Sequence, residues 1–208
     1  MNGKTWLWLV AGLFSLSVMA QEEPTVTQEQ VSPEPVDPPA LTVAAMTLLP
    51  EPAGWRGERI ALPPEFAPEL PFKGAEEMRF SPGMYDPQAN DFFSYLFAFE
   101  LAPGTALDKR NIERLLLVYY QGLCQTVAEG NEFECLPESV NLSITTVLGG
   151  YLAELNWVEP FVTGQPQTLY IELLPVPGEQ PLLYGAASPQ DLKHEQWRVL
   201  RRYLPTPE

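Results

Sequence analysis

Between Glu76 and Leu101 the chain reads EEMRFSPGMYDPQANDFFSYLFAFEL, and its apolar positions alternate. Phe93, Tyr95, Phe97, Phe99 and Leu101 share one parity; Phe92, Ser94, Leu96, Ala98 and Glu100 share the other. Successive side chains of a strand point to opposite faces, so the rings gather on one side and mostly smaller groups on the other. This predicts a central strand, buried on its bulky face and covered on its smaller one. Just upstream, Met78 and Phe80 face one way while Glu77 and Arg79 face the other, which predicts a short strand with a Glu77–Arg79 ion pair on its surface. The loop 81–91 between them is too long for a tight hairpin, and Pro82-Gly83 and Asp86-Pro87 mark defined turns within it.

After Pro103-Gly104 the period changes. Ile112, Leu116, Tyr119, Tyr120, Leu123 and Val127 recur every three or four residues, predicting an amphipathic helix capped by Thr105 or Asp108 and ending near Gly130. Val140 to Leu148 and Tyr151 to Glu159 then alternate on either side of Gly149-Gly150, read as a two-residue hairpin turn. Pairing across it sets Leu148 against Tyr151, Thr146 against Ala153, Ile144 against Leu155 and Leu142 against Trp157, all on the buried face. Thr168 to Leu174 follows as a strand, in a register that lands Glu159 beside Ile171. Gly57 to Leu62 and Pro181 to Tyr184 read as edges, and Asp191 to Tyr203 as a final helix burying Trp197, Leu200 and Leu204.

These elements predict an α+β fold in two layers: an antiparallel sheet of about five or six strands, one long helix packed on a face and a short C-terminal helix. A barrel-like sheet is the alternative. Residues 1–20 have the layout of a secretory signal: Lys4, the apolar run Trp6 to Val18, and small residues up to Ala20. The competing reading is an uncleaved anchor, but the run is shorter than the ~20 residues that span a bilayer comfortably. Residues 21–52 hold many prolines and several acids without one Lys or Arg, predicting an extended linker, with Leu41 to Leu49 as an apolar patch able to dock on the domain. Residues 53–208 form the expected single domain.

Composition narrows the partners. The net charge of −15 becomes −16 once Lys4 leaves with the signal. Such a chain has no basic stripe with which to neutralise phosphates, so nucleic acid is excluded as a partner class. No membrane span is expected after cleavage, and the address is periplasmic or extracellular. There Cys124, late in the helix, and Cys135, in the loop after it, can oxidise. Without a Cys-x-x-Cys motif, a structural disulfide is favoured over redox chemistry.

Catalytic and cofactor signatures are absent. The one histidine, His194, lies among Lys193, Glu195 and Arg198 and reads as a solvated helix residue. There is no phosphate loop, dinucleotide glycine pattern or nucleophile elbow, and no cofactor or metal is assigned. Three groupings remain as candidates. Loop 81–91 offers Met84, Tyr85, Asp86, Asn90 and Asp91 as ligand contacts or oxygen donors for a hard cation, against the simpler role of Asp and Asn as turn formers. Glu77, Asp86 and Glu159 supply carboxylates for acid–base hydrolysis if they converge, with Arg79 beside them. Trp55, Tyr85, Trp157 and Tyr170 can line a groove, although core packing accounts equally for Trp157. The expectation is therefore an exported, non-catalytic module that binds or assembles with an envelope or extracellular protein or glycan. A carboxylate-dependent hydrolase of glycans or peptides is the alternative.

Overall fold

The structure is a computed structural model that describes residues 46–206. The expected signal and most of the proline-rich run lie outside the described residues. The elements run β1 (Arg56–Leu62), β2 (Gly74–Phe80), β3 (Tyr95–Leu101), α1 (Lys109–Asn131), β4 (Asn141–Val147), β5 (Gly150–Val158), β6 (Pro166–Val176), β7 (Leu182–Ser188) and α2 (Glu195–Leu200). The strands form one antiparallel sheet in the order β1-β2-β3-β7-β6-β5-β4. The fold is α+β with one long helix, as the pattern predicts, and its seven strands slightly exceed the expected number.

The edge expected at Pro181 to Tyr184 is a full strand, Leu182–Ser188. β7 lies at the centre, between β3 and β6, rather than at an edge. Its Gly185-Ala186-Ala187 run lacks bulk because the neighbouring strand supplies it. A Cβ on Gly185 would stand 2.1 Å from the tip of the Phe97 ring, so the ring occupies the space a side chain would need. On β3 the two faces divide as expected: Tyr95, Phe97, Phe99 and Leu101 enter the main core, and Leu96 and Ala98 a smaller one behind the sheet. Phe93 precedes the strand in a left-handed conformation (φ 47°) but still packs edge-on to Tyr95 and Trp157.

The hairpin register is two residues away from the expected one. Val147 pairs with Gly150, so Leu148-Gly149 is the turn, and Ile144 faces Ala153 rather than Leu155. Gly149 takes the positive φ (82°), and Gly150 begins β5, where a Cβ would stand 2.0 Å from the Leu173 carbonyl oxygen. That close approach to β6 claims the second glycine for the strand. A slip of two preserves parity, so Ile144, Ala153, Leu155 and Trp157 are buried and Asn141, Ser143, Thr145, Glu154 and Asn156 exposed. At the turn end, however, Thr146 and Leu148, expected on the buried face, are exposed, and Leu142 and Tyr151 are half-buried. The β5–β6 register also differs: Ile171 pairs with Ala153, not Glu159, which lies beyond the end of β5.

α1 starts at Asp108, whose carboxylate accepts from Asn111 N–H at 2.9 Å. Its buried stripe is Ile112, Leu115, Leu116, Tyr119, Tyr120, Cys124 and Ala128, rotated slightly from the expected one so that Leu123 and Val127 are only half-buried. The connection 63–73 also lies against this helix, at Gly122, where a Cβ would meet the Phe66 carbonyl at 2.2 Å. Cys124 and Cys135 form a disulfide with a Cα–Cα distance of 5.5 Å, tying the helix to the chain that leads into β4.

The opposite face is covered over only part of its width. Leu49 and α2, through Trp197 and Leu200, pack on Leu96, Ala98 and Ala186 of β3 and β7. Beyond them, the β4–β5 part of this face carries exposed Ser143, Thr145, Glu154 and Asn156.

Candidate functional site

β2 sends adjacent acids to opposite faces. Glu77 and Arg79 are buried, not superficial, at 0 % and 1 % exposure, because residues 46–49 lie across them. The Glu77 carboxylate accepts the N–H groups of Thr47 (2.9 Å), Leu48 (3.1 Å) and Leu49 (3.1 Å). Arg79 donates to Glu77 at 2.7 Å, to the Leu49 carbonyl at 3.2 Å and to the Met78 carbonyl at 2.9 Å. Arg59 on β1 bridges Glu77 and Glu100. Burial by itself raises the Glu77 carboxyl, but the Leu48 and Leu49 N–H groups, the Arg79 charge and the Thr47 N–H outweigh it and hold the group below the usual range. The arrangement clamps a chain segment onto the sheet; it presents no free charge.

Glu76 goes the other way, into the core beside Tyr119, and one carboxyl oxygen has no hydrogen-bond partner. Burial pushes its pKa up to about 8; the Tyr119 hydroxyl works against the rise and the charge of Glu58 adds to it. Nearby, the Tyr95 and Tyr120 hydroxyls share a hydrogen bond. Glu76 is not among the residues singled out from the sequence, although it shares parity with Met78 and Phe80, and that alternation marks it as inward-facing.

Glu159 is fully buried and organises its own turn. It accepts from the N–H groups of Phe161 (2.6 Å), Val162 (3.1 Å) and Thr163 (2.7 Å) and from the Thr163 hydroxyl (2.8 Å). In loop 81–91, Asp86 accepts from Gln88 N–H and Asp91 from Gly83 N–H, and four successive reverse turns carry the chain from Ser81 to Phe92. Asp86 and Asp91 are thus turn formers. Met84 is core, and Tyr85 lies half-buried between Phe161 and Arg56. His194 caps α2, its Nδ1 accepting from Gln196 N–H.

The structure does not bring the candidate carboxylates together: Glu77 lies under residues 46–49, Glu159 inside its turn and Asp86 on an exposed loop. None of them lines either of the two concavities described here. The four aromatic candidates are likewise dispersed. Trp157 is core, Tyr85 meets Phe161, Trp55 meets Tyr203, and Tyr170 lies on the other face from Trp157. One concavity, about 380 Å³, lies between Trp55, Met46, Pro52 and Arg79. The other, about 420 Å³, is more apolar, with Val147, Leu148, Leu152, Leu174, Leu204 and Pro205 in its wall and the Glu172–Arg201 ion pair at its rim. Among the described residues no group of three or more His, Cys, Asp or Glu side chains is placed to hold a metal, and no helix is long and apolar enough to cross a membrane.

Compared with protein-family models, with characterised proteins and with solved structures, the chain matches none.

Proposed function

We propose that this chain is an exported, non-catalytic module that binds or assembles with another component of the cell envelope or its surroundings. One observation carries the reading: the sheet is covered on both faces at β2, β3 and β7, yet its β4–β5 end presents exposed apolar side chains around a shallow concavity. Isolated exposed hydrophobics are ordinary, but clustered ones rimmed by an ion pair mark contact surfaces. The engagement of Glu77 and Glu159 in holding backbone further supports a binding role over a hydrolytic one. Export is supported by the signal-like residues 1–20 and by the Cys124–Cys135 disulfide.

The test is retention of an envelope component on the immobilised chain from Gln21 onward. Leu148→Ser, at an exposed position, should release the component, and Asp86→Ala should not. Release by Asp86→Ala alone moves the contact to loop 81–91, where the sequence analysis placed it. Failure to retain any component from membrane, soluble envelope or cell-wall fractions defeats the proposal.

A further inference from the structure

β4 ends the sheet, and among the described residues no backbone hydrogen bond reaches its outer side. Its sequence, NLSITTV, has no charge and no proline. The other edge, β1, reads RGERIAL and carries Arg56, Glu58 and Arg59. Charged side chains guard an edge against strand pairing, and an uncharged β-branched edge invites it. The hairpin also fixes which backbone groups are free. A two-residue turn is closed by a pair that exchanges hydrogen bonds, and bonded and non-bonded pairs then alternate along the strands. Since Val147 and Gly150 close the turn, Asn141, Ser143, Thr145 and Val147 bond to β5. Leu142, Ile144 and Thr146 therefore direct their N–H and C=O groups outward.

Exposed apolar side chains precede and follow this strand along the chain. Leu136 is 48 % exposed ahead of β4, Val147 is 43 % exposed at its end, and Leu148 in the turn is fully exposed. Free backbone groups alone would accept any extended strand. The run itself narrows the choice: read antiparallel about Ile144, its outward-directed residues meet outward-directed residues and no charge meets another, so a second copy of this chain fits the edge.

We propose that β4 pairs antiparallel with β4 of a second copy about a two-fold axis at Ile144. This goes beyond the reading of the chain as a module that binds another component, and stands or falls separately from it. In this register Ile144 faces its own counterpart, Leu142 faces Thr146, Ser143 faces Thr145, and Asn141 faces Val147. The outward-facing residues of each copy meet one another, giving about six new backbone hydrogen bonds. Leu148 of each copy comes just beyond Asn141 of the other. Neither copy brings a charge to the seam, although the net charge of −15 otherwise drives copies apart.

A strand-to-strand seam is small and its affinity modest, so sedimentation velocity of the chain from Gln21 onward is run from roughly 10 to 500 µM. The expected result is a concentration-dependent shift from monomer to dimer. Ser143→Lys with Thr145→Lys sets lysine opposite lysine and should weaken the dimer at least about tenfold; Ser143→Lys with Thr145→Glu sets lysine opposite glutamate and should restore it to within about threefold. Both positions are exposed, and thermal unfolding of each variant verifies the fold. Monomer throughout the range, or a dimer indifferent to these charge pairs, overturns the proposal. A monomer that still retains an envelope component through Leu148 overturns self-pairing alone. A dimer that retains no such component supports self-pairing while the broader binding reading fails.

Discussion

Glu76 and Glu77, adjacent in β2, enter opposite faces of the sheet and titrate in opposite directions. The fold favours the neutral form of Glu76, so folding takes up a proton between the ordinary glutamate value and about 8. The stability due to this group is complete at acid pH and is lost as pH rises through that interval. Glu76→Gln should therefore flatten the decline in unfolding free energy between pH 5 and 9 and raise it at the alkaline end, by an amount on the order of a few kcal/mol. Urea unfolding across that range measures it; an unchanged slope contradicts the buried, unpaired placement. Glu77 has the opposite sign, its contribution present above the ordinary glutamate range and lost on acidification. Arg79→Met leaves Glu77 with only the more exposed Arg59 and should cost about 3–5 kcal/mol, measurable by the same titration, with faster proteolysis at residues 46–52 as the local sign. The alternation of Glu77 and Arg79 was legible, and so was a docking patch at Leu41 to Leu49; that its described end, residues 46–49, lies over these two side chains was not, because it is some thirty residues away in sequence.

At the scale of elements, periodicity carried most of the information and long-range packing the remainder. The aromatic strand, α1 with one of its two candidate caps, and the inward and outward faces of the hairpin away from its turn could be read from local pattern, while Thr146 and Leu148, expected inward, are exposed. The hairpin register could not, since the decision that Gly150 belongs to the strand is made by the Leu173 carbonyl on β6. Nor could the central place of β7, because Gly185-Ala186-Ala187 looks weak until Phe97 lies against it. Gly185→Ala should accordingly overpack the core and destabilise the fold by about 1–3 kcal/mol or more, whereas the same change at Gly130, with open space around its Cβ position, should be neutral or slightly stabilising. Comparative unfolding of the two variants decides this; equal effects refute the ring-filled gap. Replacing both Cys124 and Cys135 by Ser should cost about 2–3 kcal/mol, the value for so short a loop, and loosen the approach to β4.

For the whole molecule, the two edges of the sheet are unlike. β1 has charged side chains and Met46 of the clamped segment beside Gly57, while β4 has no charge and, among the described residues, no strand on its outer side. The sequence shows an uncharged NLSITTV run, but only the strand order turns that run into an edge. The acids of loop 81–91 serve its turns, and the contact surface proposed for this chain is instead the far end of the sheet. Residue-resolved amide exchange by NMR, on dilute and then concentrated protein, reads that end directly. In dilute solution Leu142, Ile144 and Thr146 should exchange rapidly and Ser143 and Thr145 slowly, with the first three becoming protected as concentration rises. Protection of all five in dilute solution, or rapid exchange of the three at every concentration, would contradict an open edge that pairs with its own kind.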